Sequence, residues 1–183
     1  MRVVTAPEKV TLEDKDISIF LAGGITNCPE WQNDVIKEID DLSISFKYNT
    51  DNTVLFNPRR ENFPIGDPSA AMEQIKWEFE QLERCDIFSM YFSGGISDQP
   101  ICMYELGRNI ARMQMRFPSD WENRIIISCE EGYKRKQDVE IQTMLATKGA
   151  VSVMSYFGSD SEITLQKLHA ESICQAINTL RGV

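Results

Sequence analysis

Short apolar runs alternate with longer amphipathic segments along the chain. Residues 17–22 form a nearly continuous apolar run that ends at Gly23 and Gly24, which predicts a buried strand. Residues 29–42 then show the period of an amphipathic helix. The same patterns predict further strands at residues 53–56, 86–92, 123–129 and 150–154, and further helices at residues 68–84, 100–115, 134–147 and 160–180.

This alternation favours a parallel sheet with helices on both faces, because each right-handed crossover returns over one face of the sheet. We expect one α/β domain over residues 1–183, a flavodoxin-like or Rossmann-like three-layer sandwich with a five-stranded parallel sheet. In such folds ligands bind beyond the carboxyl ends of the strands, near the switch in strand order. The candidate site loops are therefore residues 23–30, 57–67, 93–99 and 130–134.

The helix predicted at residues 68–84 carries one apolar stripe, which predicts its buried face. Glu78 lies about 70° from the centre of that stripe at about 100° per residue, so we expect its side chain to be partly buried. Trp77 lies almost opposite the stripe and is expected to face solvent unless another subunit covers it, which favours a homo-oligomer. The stripe consists of Met72, Ile75, Phe79 and Leu82.

Composition narrows the class of function. No apolar run is long enough to cross a membrane, and residues 1–10 lack the apolar core of a signal peptide, so we expect a cytoplasmic protein. The net charge of -9 argues against a nucleic acid as partner, because nucleic-acid binding normally uses a basic face. A small-molecule substrate fits this charge better.

Histidine and cysteine usage limits the chemistry. The chain has one histidine, His169, which shares a predicted helix face with Ile173, Ala176 and Leu180 and is expected to be packed in the core. Its five cysteines lie far apart without zinc-ligand spacing, so we expect reduced, mostly buried thiols and no metal site. Carboxylates are therefore the expected catalytic groups if the protein is an enzyme.

The segment 93–107 combines the features of a catalytic loop. A Gly-Gly loop with Asp98 leads through Pro100 into a helix, and Glu105 falls in its second turn, off the apolar stripe. Its side chain is free to turn towards the cleft, where the positive end of the helix would favour the ionised form that a nucleophile needs. The alternative is an ordinary solvated glutamate. The stripe on this helix consists of Met103, Leu106, Ile110 and Met113.

Two further loops are candidate ligand-binding segments. Gly23 and Gly24 allow close approach of a ligand to the backbone, although the segment lacks the dinucleotide-binding fingerprint and is also compatible with a simple turn. Residues 57–60 follow the second strand, and their two guanidinium groups could reach a phosphate or carboxylate. Surface ion pairs with Glu61 or Asp67 explain these arginines equally well.

Taken in order, these motifs resemble those of the nucleoside 2-deoxyribosyltransferases and their close relatives. The matching segments cover most of residues 17–107, and no single one of them is decisive. The resemblance implies a flavodoxin-like fold, no cofactor, and a nucleoside and a free nucleobase as partners. The segments are Ile19 to Ile25 with Trp31 and Gln32, Asn57 to Arg60, Trp77 and Glu78 through Ile87, and Tyr104 to Gly107.

The resemblance also implies roles for three acidic residues. Glu105 attacks the anomeric carbon, expels the base, and passes the sugar to a second base with net retention. Glu78 takes the place of the acid that protonates the leaving base, where the family commonly has aspartate, and partial burial would help it hold a proton. Asp98 matches a carboxylate that holds sugar hydroxyls, although it lies one residue further from Glu105 than in the best-known members.

The same comparison assigns the remaining substrate-binding residues. Phe20, Gly23, Gly24 and Trp31 are expected to line the base pocket, and a neighbouring subunit is expected to complete the site. Asn57 and Arg59 are candidate substrate-binding residues from the loop after the second strand.

Two other functions remain open from the sequence. Relatives of the family hydrolyse deoxynucleoside 5'-monophosphates with water as the acceptor, and Arg59 and Arg60 could then contact the phosphate. A non-catalytic nucleotide-binding module on the same fold is the second alternative, because a fold does not determine a function.

Overall fold

The computed structural model shows a parallel sheet with helices on both faces. It describes residues 1–45, 47–64, 66–158 and 163–182. Within these residues the strands are β1 (Arg2–Thr5), β2 (Ile17–Gly23), β3 (Thr53–Asn57), β4 (Ile87–Phe92), β5 (Ile125–Cys129) and β6 (Val153–Met154). The helices are α1 (Trp31–Ile44), α2 (Pro68–Arg84), α3 (Pro100–Arg116), α4 (Lys136–Thr147) and α5 (Leu165–Arg181). The strand order is β1-β3-β2-β4-β5-β6, and every neighbouring pair is parallel.

The flavodoxin-like three-layer fold is confirmed, but the prediction of five strands is wrong by one. The additional strand is β1, whose residues Arg2 to Thr5 pair with Val54 to Asn57 at the edge of the sheet. Four residues with an exposed arginine give too short and too polar a run to predict a strand, and the pairing with β3 supplies the missing stabilisation.

Two predicted boundaries at the carboxyl-terminal end also shift. The last strand is only Val153–Met154, because Lys148 and Gly149 adopt left-handed conformations after α4 and residues 150–152 complete the turn. The last helix begins at Leu165, where the side chain of Thr164 accepts a hydrogen bond from the backbone of Lys167. Residues 160–162 of the predicted helix lie outside the described residues.

Both faces of the sheet are buried, which explains the continuous apolar runs of its central strands. Helices α1 and α5 pack against each other on one face, around Trp31, Val35, Ile39 and Ile173. The other face carries α2, α3 and α4 around a second apolar cluster. No helix in the described ranges is long and apolar enough to span a membrane.

His169 is a core residue, as the sequence predicted. It is fully buried on α5, with Ser89 Oγ 2.6 Å from its Nε2 and Ser128 Oγ 2.7 Å from its Nδ1. Burial lowers the pKa of His169 to about 3, so the imidazole is neutral throughout the physiological range. Four of the five cysteines are also buried, and all five are free thiols.

Helix α2 is rotated relative to the prediction. Trp77, expected to face solvent, is buried between Phe20 and Phe56, with ring centroids 6.1 Å from each. Its Nε1 donates to Glu8 O at 2.7 Å, so the segment between β1 and β2 covers this side of the helix. Three of the four stripe residues are exposed instead, and Leu82 alone of the four is buried. Their exposed fractions are 69% for Met72, 64% for Ile75 and 52% for Phe79.

The strand order positions the candidate site. From β2 the chain crosses to β3 on one side, and from β3 it returns across β2 to β4 on the other side. The loops that leave β2 and β4 therefore diverge at their carboxyl ends, which creates a crevice at this switch point. The loop after Gly23 and the loop after Phe92 form its two walls.

Candidate active site

A cleft of about 300 Å³ lies at the switch point. Of the nine predicted site residues, Phe20, Gly23, Gly24, Glu78 and Glu105 line it. The cleft thus brings the two glutamates together with the aromatic ring and the glycines expected at the base pocket. The other lining residues are Ala22, Ile25, Thr26, Pro58, Ile75, Ser97, Gln99, Pro100, Ile101 and Cys102.

Neighbouring residues approach the two glycines so closely that a Cβ atom at either position would collide with them. A Cβ atom at Gly23 would lie 2.6 Å from Trp31 Cζ2, and the residue has φ 153°. A Cβ atom at Gly24 would lie 2.6 Å from Gln99 Oε1 and closer still to Cys28 Sγ. Glycine is therefore required at position 23, where a Cβ would also meet the backbone carbonyl of Tyr91, whereas a side chain at position 24 would displace the ends of Cys28 and Gln99.

Glu105 lies in the second turn of α3 and is mostly buried in the cleft. Burial and the nearby carboxyl of Glu78 raise the pKa of Glu105 to about 7, after a partial offset by Arg108. This corrects the expectation that the helix end keeps Glu105 ionised. Desolvation outweighs the helix dipole here because an exposed terminus contributes only about 0.3–1 kcal/mol.

Glu78 lies on α2 and lines the same cleft as Glu105. Burial raises the pKa of Glu78, as expected, and a hydrogen bond from Gln74 partly offsets that rise. Gln74 Nε2 donates to Glu78 Oε1 and to Pro58 O, at 2.7 Å each. Gln74 therefore fixes the acid relative to the loop after β3. The sequence held a signal for this contact, because Gln74 precedes Glu78 by one helical turn.

Two partly buried carboxyl groups in one cleft cannot both ionise easily at neutral pH. The Glu78 carboxyl is one cause of the raised pKa of Glu105, so ionisation of both groups is disfavoured relative to a state in which the pair holds one proton. One carboxylate and one carboxylic acid in the same cleft are the groups that a nucleophile and an acid–base partner need.

The loop after β4 places Asp98 and Gln99 differently from the prediction. The Asp98 side chain is 68% exposed and pairs with Lys134 Nζ at 3.3 Å, outside the cleft formed by the described residues. Gln99 is only 4% exposed, has a left-handed backbone with φ 45°, and lines the cleft. Its Nε2 donates to Ser93 O at 2.7 Å, while its Oε1 has no hydrogen-bond partner among the described residues.

Gln99 is the site residue that sequence reasoning missed. The resemblance implied a carboxylate in this loop, and Asp98 is the acidic residue there. Gln99 is uncharged, so its side chain did not indicate a role in the site. The left-handed backbone at Gln99 turns its side chain inward. A buried acceptor without a partner costs about 1–3 kcal/mol, which a ligand donor would recover.

Trp31, Asn57 and Arg59 lie beneath the cleft wall. Trp31 is fully buried, stacks on Tyr91 with ring centroids 4.8 Å apart, and donates from Nε1 to Gly24 O at 3.1 Å. Asn57 Oδ1 accepts from the backbone N–H of Arg59 at 3.0 Å. The Arg59 guanidinium donates to two carbonyls of the loop after β2 and to the side chain of Gln32 on α1, and Arg59 is not among the residues that line the cleft.

Helices α2 and α3 carry exposed apolar side chains, two of which line the cleft. We define the apolar rim as Met72, Ile75 and Phe79 of α2 with Ile101 and Tyr104 of α3. Ile101 is 64% exposed and Tyr104 is 67% exposed, and Ile75 and Ile101 also line the cleft. Several exposed apolar side chains on two neighbouring helices are typical of an interaction surface.

Other hollows lack this combination of groups. A hollow of about 550 Å³ between the segment before β2 and α2 is lined by both charged and apolar side chains. Another of about 540 Å³ lies beside Arg59 and Arg60. Across the described ranges, no group of three or more histidine, cysteine or acidic side chains could hold a metal ion.

Comparison with known proteins identifies the family. A sequence profile described as "Nucleoside 2-deoxyribosyltransferase like" matches residues 16–133, from β2 to the loop after β5. A search of curated proteins gives no match. The matched region covers well over half of the chain and contains the cleft with both glutamates. The chain therefore belongs to the nucleoside 2-deoxyribosyltransferase-like family.

Proposed function

We propose that the protein transfers 2-deoxyribose between nucleobases through a covalent glycosyl ester on Glu105. The observation that carries this proposal is the shared cleft of Glu105 and Glu78, in which burial raises both pKa values. Membership of the family supports a nucleoside as substrate and a free nucleobase as acceptor.

The first half-reaction begins when the shared proton resides on Glu78. The Glu105 carboxylate then attacks C1' of the deoxynucleoside, and a C–O bond forms as the C1'–N bond breaks. The electron pair of that bond goes to the leaving base, which takes the proton of Glu78. The products are a free base, a deoxyribosyl ester of Glu105 and a Glu78 carboxylate.

The second half-reaction reverses these steps with a new base. A nitrogen of the incoming base attacks C1', its proton passes to Glu78, and the ester bond to Glu105 breaks. Two displacements at C1' give net retention of configuration. The glutamate pair ends with the single proton with which it began.

The cleft walls supply the remaining contacts in this proposal. Phe20 is almost fully buried and lines the cleft, where its ring offers a flat apolar face for a base. The unpartnered Gln99 Oε1 accepts a hydrogen bond from a sugar hydroxyl, a role that the resemblance implied for Asp98. Gly23 and Gly24 keep the backbone close to the substrate.

We also propose that the apolar rim contacts a second copy of the chain, which completes the open side of the cleft. Phe79→Glu places a charge in this rim, whereas Ile44→Glu introduces the same charge at an exposed position on α1 as the matched control. Light scattering after size exclusion should show a smaller particle for the Phe79 variant only. A monomeric wild type, or equal masses for all three proteins, would refute this contact.

A base-exchange assay tests the proposed reaction. A deoxynucleoside is incubated with a second free base, and products are separated by chromatography for the wild type, Glu105→Ala and Glu80→Ala. Glu80 is an exposed carboxylate on α2, on the same helix as Glu78, and serves as the control. We expect exchange by the wild type and the control, with a loss of at least about 10³-fold in the Glu105 variant.

The covalent intermediate has its own test. Acid quench followed by peptide mass spectrometry should detect a deoxyribosyl addition on the peptide that contains Glu105. Release of deoxyribose without base exchange would instead establish a hydrolase. Ligand binding that survives in Glu105→Ala, with no turnover by the wild type, would establish a binding module.

A further inference from the structure

Arg59 makes its hydrogen bonds to the protein rather than into the cleft. Its Nε donates to Gln32 Oε1 at 2.9 Å, and its Nη2 donates to Pro29 O at 2.6 Å and more weakly to Gly24 O at 3.4 Å. Gly24 O also accepts from Trp31 Nε1 at 3.1 Å. The guanidinium thus joins the first and last residues of the segment 24–29.

This segment is one wall of the cleft. Gly24, Ile25 and Thr26 line it directly, and no regular secondary structure supports them between the end of β2 and the start of α1. One backbone hydrogen bond, from Cys28 N to Ile25 O, lies within the segment. The carbonyls at its two ends both accept from Arg59, and that of Gly24 accepts from Trp31 as well.

The elements beneath Arg59 hold the guanidinium in place. Asn57 Oδ1 fixes the Arg59 backbone at the end of β3, and Gln32 is fully buried on α1. Burial also lowers the pKa of Arg59, an effect that the nearby Glu30 partly offsets. A half-buried guanidinium with matching acceptors is a rigid arrangement, because its planar group loses little freedom for each hydrogen bond.

We propose that Arg59 is a positioning residue, which sets the shape of the cleft wall by joining Gly24 and Pro29, and that it does not bind the substrate. Its importance for catalysis rests on the proposed function, whereas its effect on the segment 24–29 does not. Lysine cannot replace it, since a single ammonium cannot reach Gln32 Oε1 and Pro29 O with the same geometry.

Hydrogen exchange tests the structural part without any substrate. In Arg59→Ala and Arg59→Lys, amides of peptides that cover residues 24–30 should exchange at least about tenfold faster than in the wild type. Arg60→Ala is the charge-matched control, because Arg60 contacts Glu73 and Phe63 instead of this segment. Unchanged exchange of residues 24–30 in both Arg59 variants overturns the proposal. Gln32→Met, which removes one acceptor only, gives a smaller increase and serves if Arg59→Ala does not fold.

Kinetics test the functional part. A misplaced wall should lower kcat/KM by about 100-fold. The loss should be equal, within about threefold, for a deoxynucleoside and for its 5'-monophosphate. A loss more than tenfold greater for the monophosphate overturns the proposal, because Arg59 would then bind the phosphate. If the wild type turns over neither compound, the proposed function fails while hydrogen exchange still decides the role of Arg59.

Discussion

Replacing Glu105 by glutamine should stabilise the fold at alkaline pH. Glutamine resembles the protonated carboxyl in size and polarity but cannot ionise. The pKa of Glu105 is raised in the folded state, so its protonated form contributes stability below pH 4.5, and that contribution is lost as the pH rises through about 7. The amide retains the contribution at every pH.

The expected magnitude follows from the two pKa values. The pKa rises from an ordinary 4.5 to about 7, and each unit is worth about 1.4 kcal/mol, so the ionised group costs the fold at most about 3.5 kcal/mol. Glu105 is not completely buried, and water reduces the cost of ionisation. We therefore expect Glu105→Gln to raise the free energy of unfolding by about 2 kcal/mol at pH 8 and to have almost no effect at pH 4.5.

Urea unfolding at several pH values, at one fixed protein concentration, measures this difference. Glu122→Gln, which removes an exposed carboxylate from the turn before β5, controls for net charge. Equal unfolding midpoints of the wild type and Glu105→Gln at pH 8 would refute the reasoning. Glu105 would then be hydrated in the folded state, and the pair could not share a proton near neutrality.

Three further outcomes can be measured on related variants. Gln74→Leu removes a hydrogen bond that favours ionised Glu78, so the alkaline limb of its pH–rate profile should move up by as much as about one pH unit. His169 has a pKa of about 3 in the folded state, so below pH 6.5 only the unfolded state takes up a proton on this residue. The free energy of unfolding should therefore fall by about 2 kcal/mol between pH 7 and pH 5, measured by urea unfolding in the Glu105→Gln background, where Glu105 does not titrate. Gln99→Ala should lower kcat/KM by about 10–100-fold in the exchange assay, whereas Asp98→Asn should change it less than about threefold.

Continuous apolar strands are the most predictable part of this fold. Strands β2, β4 and β5 are buried on both faces, so their hydrophobic pattern is strong and independent of the rest of the chain. Strand β1 depends on pairing with β3 for its stability, which a local pattern cannot show. The two site residues of α3 and its preceding loop differ in the same way. Glu105 could be predicted from its position after a strand and a loop, whereas the position of Gln99 involves a left-handed backbone that a local pattern cannot show.

Trp31, Asn57 and Arg59 show a second limit of sequence reasoning. Their place next to the cleft loops was predictable from the strand order, but the direction of each side chain was not. Each of them bonds to backbone or to a buried neighbour under the wall. A polar or aromatic side chain near a ligand can hold the wall as well as touch the substrate, and only coordinates distinguish the two.

The rotation of α2 links the fold to the proposed chemistry. The residues that periodicity assigned to the core, Met72, Ile75 and Phe79, are exposed instead, and Ile75 lines the cleft, while Trp77 fills the core from the opposite side of the helix. An apolar stripe predicts burial but not which molecule provides it. If a second copy covers the apolar rim, it also removes water from the cleft and further raises the pKa values of Glu105 and Glu78, because desolvation is the main cause of both shifts. Assembly would then strengthen the sharing of one proton on which the proposed reaction depends.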